Sequence, residues 1–178
     1  GLEMFTSEGP SSVEKLKQDG WNVFLDLKLH DIPNTVQAAA ISAGNIGADY
    51  LTIHIASGKE ALLAAKESKP ENLKLLGVST ALTSKAYSPE ISQRVYEEFL
   101  LAKESKIDGV ICPPSELFKT KELFELIVTP GIRLKNDDSH DQKNITTPEK
   151  AIRDGASYLV MGRSIRQNIN YVVEKLKL

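Results

Sequence analysis

Four ionisable side chains crowd the segment "VFLDLKLHDIPNTV", Val23 to Val36: Asp26, Lys28, His30 and Asp31. A lysine flanked by carboxylates is held in its ammonium form, because nearby negative charge favours the protonated state. Such a lysine can deliver a proton to a reacting atom as a general acid. In an extended chain, residues two apart share a face, so Phe24, Asp26 and Lys28 point one way and Leu25, Leu27 and Leu29 the other. The leucines suit packing on helices, which leaves the charged pair on the opposite side of the sheet. A charged pair there is expensive unless each charge satisfies its neighbour. A generic Asp-x-Lys reads most simply as a structural ion pair. Asp31, just beyond the strand end, tips the balance towards catalysis, because barrel enzymes keep their chemistry at the C-terminal ends of strands. In the following "IPNT", Pro33 stops the strand and Asn34 or Thr35 is available to cap a helix. No role is assigned to His30. His54, facing the same way as Thr52, reads as a hydrogen-bonded structural histidine.

A second chemistry is suggested by "YLVMGRSI", which ends a strand with Gly162 and Arg163. A glycine lets backbone N–H groups approach a phosphate, and a helix starting there adds a favourable dipole. On its own, Gly-Arg is more often a turn and a surface charge. With "TPGIR" and Arg133 preceding it, and with phosphate sites recurring after the last strands of barrels, phosphate binding is expected for Gly162 and Arg163. The one long polar loop, Leu134–Asn144 ("LKNDDSHDQKN"), follows Arg133 and contains Gln142. Loops of that length are usually functional or disordered.

These residues need a frame to hold them. Strands are predicted at Asn22–Leu29, Tyr50–Ile55, Leu73–Ser79, Gly109–Cys112, Leu126–Thr129 and Tyr158–Met161. Helices are predicted at Ser11–Gln18, Val36–Gly44, Lys59–Ser68, Ile91–Ser105, Ser115–Phe124, Pro148–Asp154 and Tyr171–Lys177, with Thr147 as cap and Pro148 in the first turn of the sixth. Strand–helix alternation argues for parallel strands joined by helical crossovers. "LLGV", "GVIC" and "YLVM" are apolar on both faces, as covered strands should be. "IGADY", "KIDGV" and "DGASY" each close a helix and open a strand, a βα unit repeated in architecture without a clear sequence repeat. Six strands, by count alone, favour an open doubly wound sheet. The charged residues at the end of the first strand favour a barrel.

The bulk numbers bound the function. The chain has 178 residues, 41% hydrophobic and 26% charged, an ordinary balance for one domain with a real core. A formal net charge of -2 gives no electrostatic argument for nucleic acid or an anionic membrane. The one cysteine, Cys112 in "GVICPP", is expected to be buried and unreactive. No CxxC or HExxH spacing suggests a metal, no apolar run is long enough to span a bilayer, and no signal peptide is recognised. A cytoplasmic protein is expected.

The segment "DLKLHDIPNT" (Asp26–Thr35) resembles the signature of the orotidine 5'-phosphate decarboxylase family. "ALTS" (Ala81–Ser84), "VTPGIR" (Val128–Arg133), the "DQ" of the long loop (Asp141, Gln142) and "MGRSI" (Met161–Ile165) occur in the order that family shows. "GLEMFTSEGP" resembles the segment just after its second strand. The resemblance implies a (β/α)8 TIM barrel, here lacking the first two strands, forming one domain over residues 1–178. It further implies a homodimer that decarboxylates OMP to UMP in pyrimidine biosynthesis, with neither metal nor organic cofactor. The family's catalytic lysine falls on Lys28, which would protonate C6 as carbon dioxide leaves. Asp26 corresponds to the acid orienting that lysine and Asp31 to the one reaching the partner subunit's site. Ile32 and Thr35 sit in a ligand-contacting run. Thr83 matches a threonine on the pyrimidine side, against a competing reading as a helix cap. Arg133 and Gln142 match ligand contacts of a loop that closes over the phosphate. The family's first two strands carry an aspartate that contacts the ribose and a further lysine of the charge network, which would lie two residues before Gly1. A barrel without them would expose strand edges, and a non-catalytic fragment is the expected alternative. A related metal-dependent sugar-phosphate decarboxylase, sharing Asp-x-Lys-x-x-Asp, is the enzymatic rival.

Overall fold

The computed structural model describes residues 1–83, 88–134, 145–162, 165 and 169–170. Gln142, Arg163 and the helix expected at Tyr171–Lys177 lie outside the described residues.

Helices α1 (Leu2–Glu8) and α2 (Ser11–Gln18) lead into β1 (Phe24–Leu29), α3 (Pro33–Asn45), β2 (Tyr50–His54) and α4 (Lys59–Ser68). The alternation continues through β3 (Lys74–Val78), α5 (Pro89–Glu104), β4 (Gly109–Ile111), α6 (Leu117–Thr120), β5 (Ile127–Thr129), α7 (Pro148–Asp154) and β6 (Tyr158–Leu159). Each expected strand is present, trimmed at its ends. Two helical readings need correction. The pattern anticipated no helix at α1. The helix expected over Ser115–Phe124 is a 3-10 turn, Pro114–Glu116, followed by α6, which stops at Thr120. There the buried Thr120 hydroxyl bonds back to the Glu116 carbonyl at 2.8 Å, a contact that competes with regular helix. None of the helices among the described residues is long and apolar enough to cross a membrane.

All six strands are parallel and follow chain order, β1-β2-β3-β4-β5-β6. A doubly wound sheet reverses its strand order at a switch point. This one does not, and steps in a single direction as barrel strands do. The sheet also curls. Tyr50 of β2 and Tyr158 of β6 touch through hydroxyls 3.0 Å apart, with ring centroids at 5.6 Å. In a flat sheet those strands would stand roughly 19 Å apart.

The concave face buries Leu76, Val78, Ile111 and Val128, with Phe24, Tyr50, Leu82 and Leu126 packed against them. The convex face presents Leu51, Ile53, Leu75 and Ile127 to a larger core that includes Val36, Leu62 and Phe99 from the helices. Cys112 is fully buried, and desolvation pushes its thiol up to about 12, which keeps it unreactive.

The βα repeat anticipated at the helix–strand joints becomes visible in the backbone. Gly47, Lys106 and Gly155 take left-handed φ values of 93, 57 and 119°. Each is followed by a buried apolar residue, Ala48, Ile107 or Ala156, and then by Asp49, Asp108 or Ser157. Those three side chains accept the backbone N–H at the start of the neighbouring odd-numbered strand: Val23 at 2.6 Å, Leu75 at 2.8 Å and Ile127 at 3.0 Å. Lys17 pairs with Asp49 at 2.8 Å, and Lys66 and Lys69 pair with Asp108. The sheet is thus latched in strand pairs β1/β2, β3/β4 and β5/β6, all at the N-terminal ends of the strands. In barrels that end serves stability and leaves the other for chemistry.

Candidate active site

The charged segment does not form the regular strand its alternation suggests. Leu25 pairs with Leu51 and Leu29 with Ile53, so Asp26, Leu27 and Lys28 together oppose the single residue Thr52. Bulges of this kind re-aim side chains and are common beside active sites. The extra length is absorbed at Lys28, whose φ of 52° is left-handed, a state costing a non-glycine residue about 1–2 kcal/mol.

Hydrogen bonds hold that strain in place. The Lys28 N–H donates to Thr52 Oγ1 at 2.8 Å, and the Thr52 hydroxyl donates to Asp26 Oδ1 at 2.9 Å. The Lys28 ammonium donates to Asp26 Oδ2 at 2.6 Å, which closes a ring. Thr52 is 0% exposed, whereas the Lys28 and Asp26 side chains are 32% and 31% exposed. The carboxylate is held from within while the ammonium still reaches the concave side. An acid so placed can donate to a bound substrate.

Two histidines missed as a pair stand at the same strand ends. The rings of His30 and His54 are 5.4 Å apart. Burial first, then the charges of His30 and Lys28, push the His54 pKa below its ordinary 6.5, against a backbone hydrogen bond to Val78 and the charge of Glu98. Its Nδ1 is buried and has no hydrogen-bond partner among the described residues. The signal for Thr52 and His54 was their inward alternation along β2, next to the charged strand. What gave Thr52 its importance, the bulge facing it, was not readable.

Asp31 is exposed at the exit of β1 and accepts the Ile32 N–H at 2.7 Å. Among the described residues it forms no ion pair with Lys28. Ile32, 66% exposed, is the N-cap of α3, with Pro33 in the first turn and no side-chain cap bond. The cap expected from Asn34 or Thr35 is therefore not made. Proline, whose fixed φ suits the first helical position, starts the helix before them. Thr35 is exposed in that first turn.

The other candidates among the described residues occupy the same end of the sheet. Gly131, at φ 76°, turns the chain after β5. Arg133 is buried, and its Nη1 donates to the Ile132 carbonyl at 2.8 Å. The two ends of the long loop are joined at its base: Ile132 bridges Thr146, Arg133 N–H donates to Thr146 O at 3.0 Å and Thr146 N–H to Gly131 O at 3.2 Å. Just after it Thr147 caps α7 by accepting the Lys150 N–H at 3.4 Å, as expected. Thr83 ends a 3-10 turn, Thr80–Thr83, whose first N–H donates to Glu98 at 2.9 Å. The next helix, α5, is capped by Ser88. Gly162 follows β6 at an exposed position where a Cβ would meet nothing within 4 Å.

A singly wound, curled parallel βα sheet that carries a lysine–carboxylate ring, a buried arginine and an open glycine at its strand C-termini places the chain in the βα-barrel class. The comparisons narrow this. The profile of the Orotidine 5'-phosphate decarboxylase / HUMPS family matches residues 1–176, and the chain belongs to that family. The orotidine 5'-phosphate decarboxylase of Fusobacterium nucleatum is 41% identical over 188 residues, covering 96% of this chain and 78% of its own length. A crystal structure of orotidine 5'-phosphate decarboxylase from Lactobacillus acidophilus superposes with a TM-score of 0.83 at 34% identity, covering 99% of this chain and 83% of that one. The Methanocaldococcus jannaschii enzyme, solved with the inhibitor BMP, gives 0.69 at 25% identity, over 93% of this chain and 76% of its own.

Proposed function

We infer that the protein decarboxylates orotidine 5'-phosphate to UMP in pyrimidine biosynthesis, with Lys28 as the proton donor. Family membership and relatives of about 40% identity bearing that name support the reaction. The observation that carries the residue assignment is the Lys28–Asp26 contact of 2.6 Å inside a bulge. The C6–carboxylate bond of OMP breaks, its electron pair stays on C6, and Lys28 transfers a proton from Nζ to that carbon. The amine then regains its proton from solvent. Asp26 keeps the ammonium in place, and its negative charge beside the substrate carboxylate disfavours the ground state more than the transition state.

In this reading residues 1–178 belong to a single barrel domain that works in the cytoplasm, as a homodimer and without a cofactor. Asp31, exposed where β1 ends, reaches the site of the partner subunit. Ile32 and Thr35 line the ligand, and Thr83 contacts the pyrimidine. Gly162 and Arg163 hold the phosphate, Arg133 and Gln142 contact the ligand from the loop, and phosphate binding energy assembles that loop over the site and excludes water. The test is direct conversion of OMP, with and without a chelator. Turnover insensitive to the chelator is expected. Turnover of a sugar phosphate lost on chelation would favour the metal-dependent rival. Lys28→Ala should lower kcat at least about 1000-fold with the circular dichroism spectrum unchanged, and retained activity would remove Lys28 from its role.

A further inference from the structure

We propose that Thr52 is a positioning residue for this reaction: its hydroxyl sets both the backbone of Lys28 and the carboxylate of Asp26, and so fixes where the ammonium stands. The proposal rests on the reading of Lys28 as proton donor and adds a residue that touches no substrate. A hydroxyl has one proton and two lone pairs. In Thr52 the proton goes to Asp26 Oδ1 at 2.9 Å and one lone pair takes the Lys28 N–H at 2.8 Å. The Lys28–Asp26 ion pair at 2.6 Å is thereby anchored at both members to one buried atom.

The register explains why this side chain has the task. Thr52 is the single β2 residue between the pairs Leu25–Leu51 and Leu29–Ile53, and it faces all three bulged residues. Without an acceptor there, the Lys28 N–H would lose the partner that the left-handed φ of 52° directs it to. A threonine in a strand is also stiff at χ1, so the oxygen is held at a fixed height above the sheet. Its position within β2 places it between Leu51 and Ile53, both fully buried, which keeps the post from shifting.

The experiment compares Thr52→Val, which keeps the shape and loses the hydrogen bonds, with Thr52→Ser, which keeps the hydroxyl. Misplacing a reacting group by an ångström can reduce a rate by about 100-fold. Thr52→Val is therefore expected to lower kcat about 100-fold with KM within about threefold, and Thr52→Ser to stay within about threefold of the parent. A Val variant with unchanged kcat, or a Ser variant as impaired as the Val one, would overturn the proposal and leave Thr52 as packing. If the parent chain itself fails to convert OMP, the functional reading falls, and Thr52 is judged by structure alone. The crystal structure of Thr52→Val should then show Lys28 out of its left-handed conformation and the ammonium parted from Asp26. An unchanged bulge and ion pair in that crystal would overturn the positioning role, whatever the activity.

Discussion

The hydroxyls of Tyr50 and Tyr158 meet at 3.0 Å although their strands, β2 and β6, are separated by three others. The contact reports the curl of the sheet, because only a strongly bent arc brings those side chains together. Its hydrogen bond, followed by burial and the neighbouring charges, pushes the Tyr50 pKa up to about 12 from 10.0. Ultraviolet titration should show one tyrosine ionising near 12, and Tyr158→Phe should bring it back towards 10. Because the folded pKa is raised, this pair contributes stability that is present below pH 10 and is lost as pH rises towards 12. Tyrosines that all ionise near 10 in the folded parent would refute the contact.

The Lys28–Asp26 pair is expected to matter for rate and little for stability. Both side chains are about a third exposed, and ion pairs with that much water around them contribute little net energy. Asp26→Asn should keep the melting temperature within a few degrees while lowering kcat by at least about 100-fold. A large stability loss with kcat preserved would return the pair to a structural role.

His54 predicts the acid limb of stability. Its folded pKa lies below the ordinary 6.5, so on acidification the unfolded chain takes up a proton before the folded one does. Stability is then undiminished above pH 6.5 and falls as pH drops below it. Melting curves at pH 7.5 and 5.5 should show a smaller drop in His54→Asn than in the parent. An equal drop in both would assign the acid sensitivity elsewhere.

Asp108 joins α4, β3 and β4 through Lys66, Lys69 and the Leu75 N–H. Asp108→Ala leaves that N–H and two ammonium groups without their partner, and should cost about 2–3 kcal/mol of stability in urea unfolding. Activity per folded molecule should not change, since the latch lies at the opposite end of the strands from Lys28. A drop in kcat without loss of stability would count against the division of the barrel into a stabilising and a reacting end.

The sequence by itself determined what depends on neighbours in the chain. The alternation of strands and helices follows from local periodicity, and the Thr147 cap and the burial of Cys112 follow from short-range chemistry. The clustering of Asp26, Lys28 and Asp31 at one strand end was visible for the same reason. The tertiary structure alone decided the strand order, the curl that joins Tyr50 to Tyr158, the two-residue bulge opposite Thr52 and the meeting of His30 with His54. Each of these depends on the register between strands that are distant in the chain. Regular alternation assumes an unbroken pleat, and at Lys28 a buried hydroxyl on the next strand stabilises a break in it.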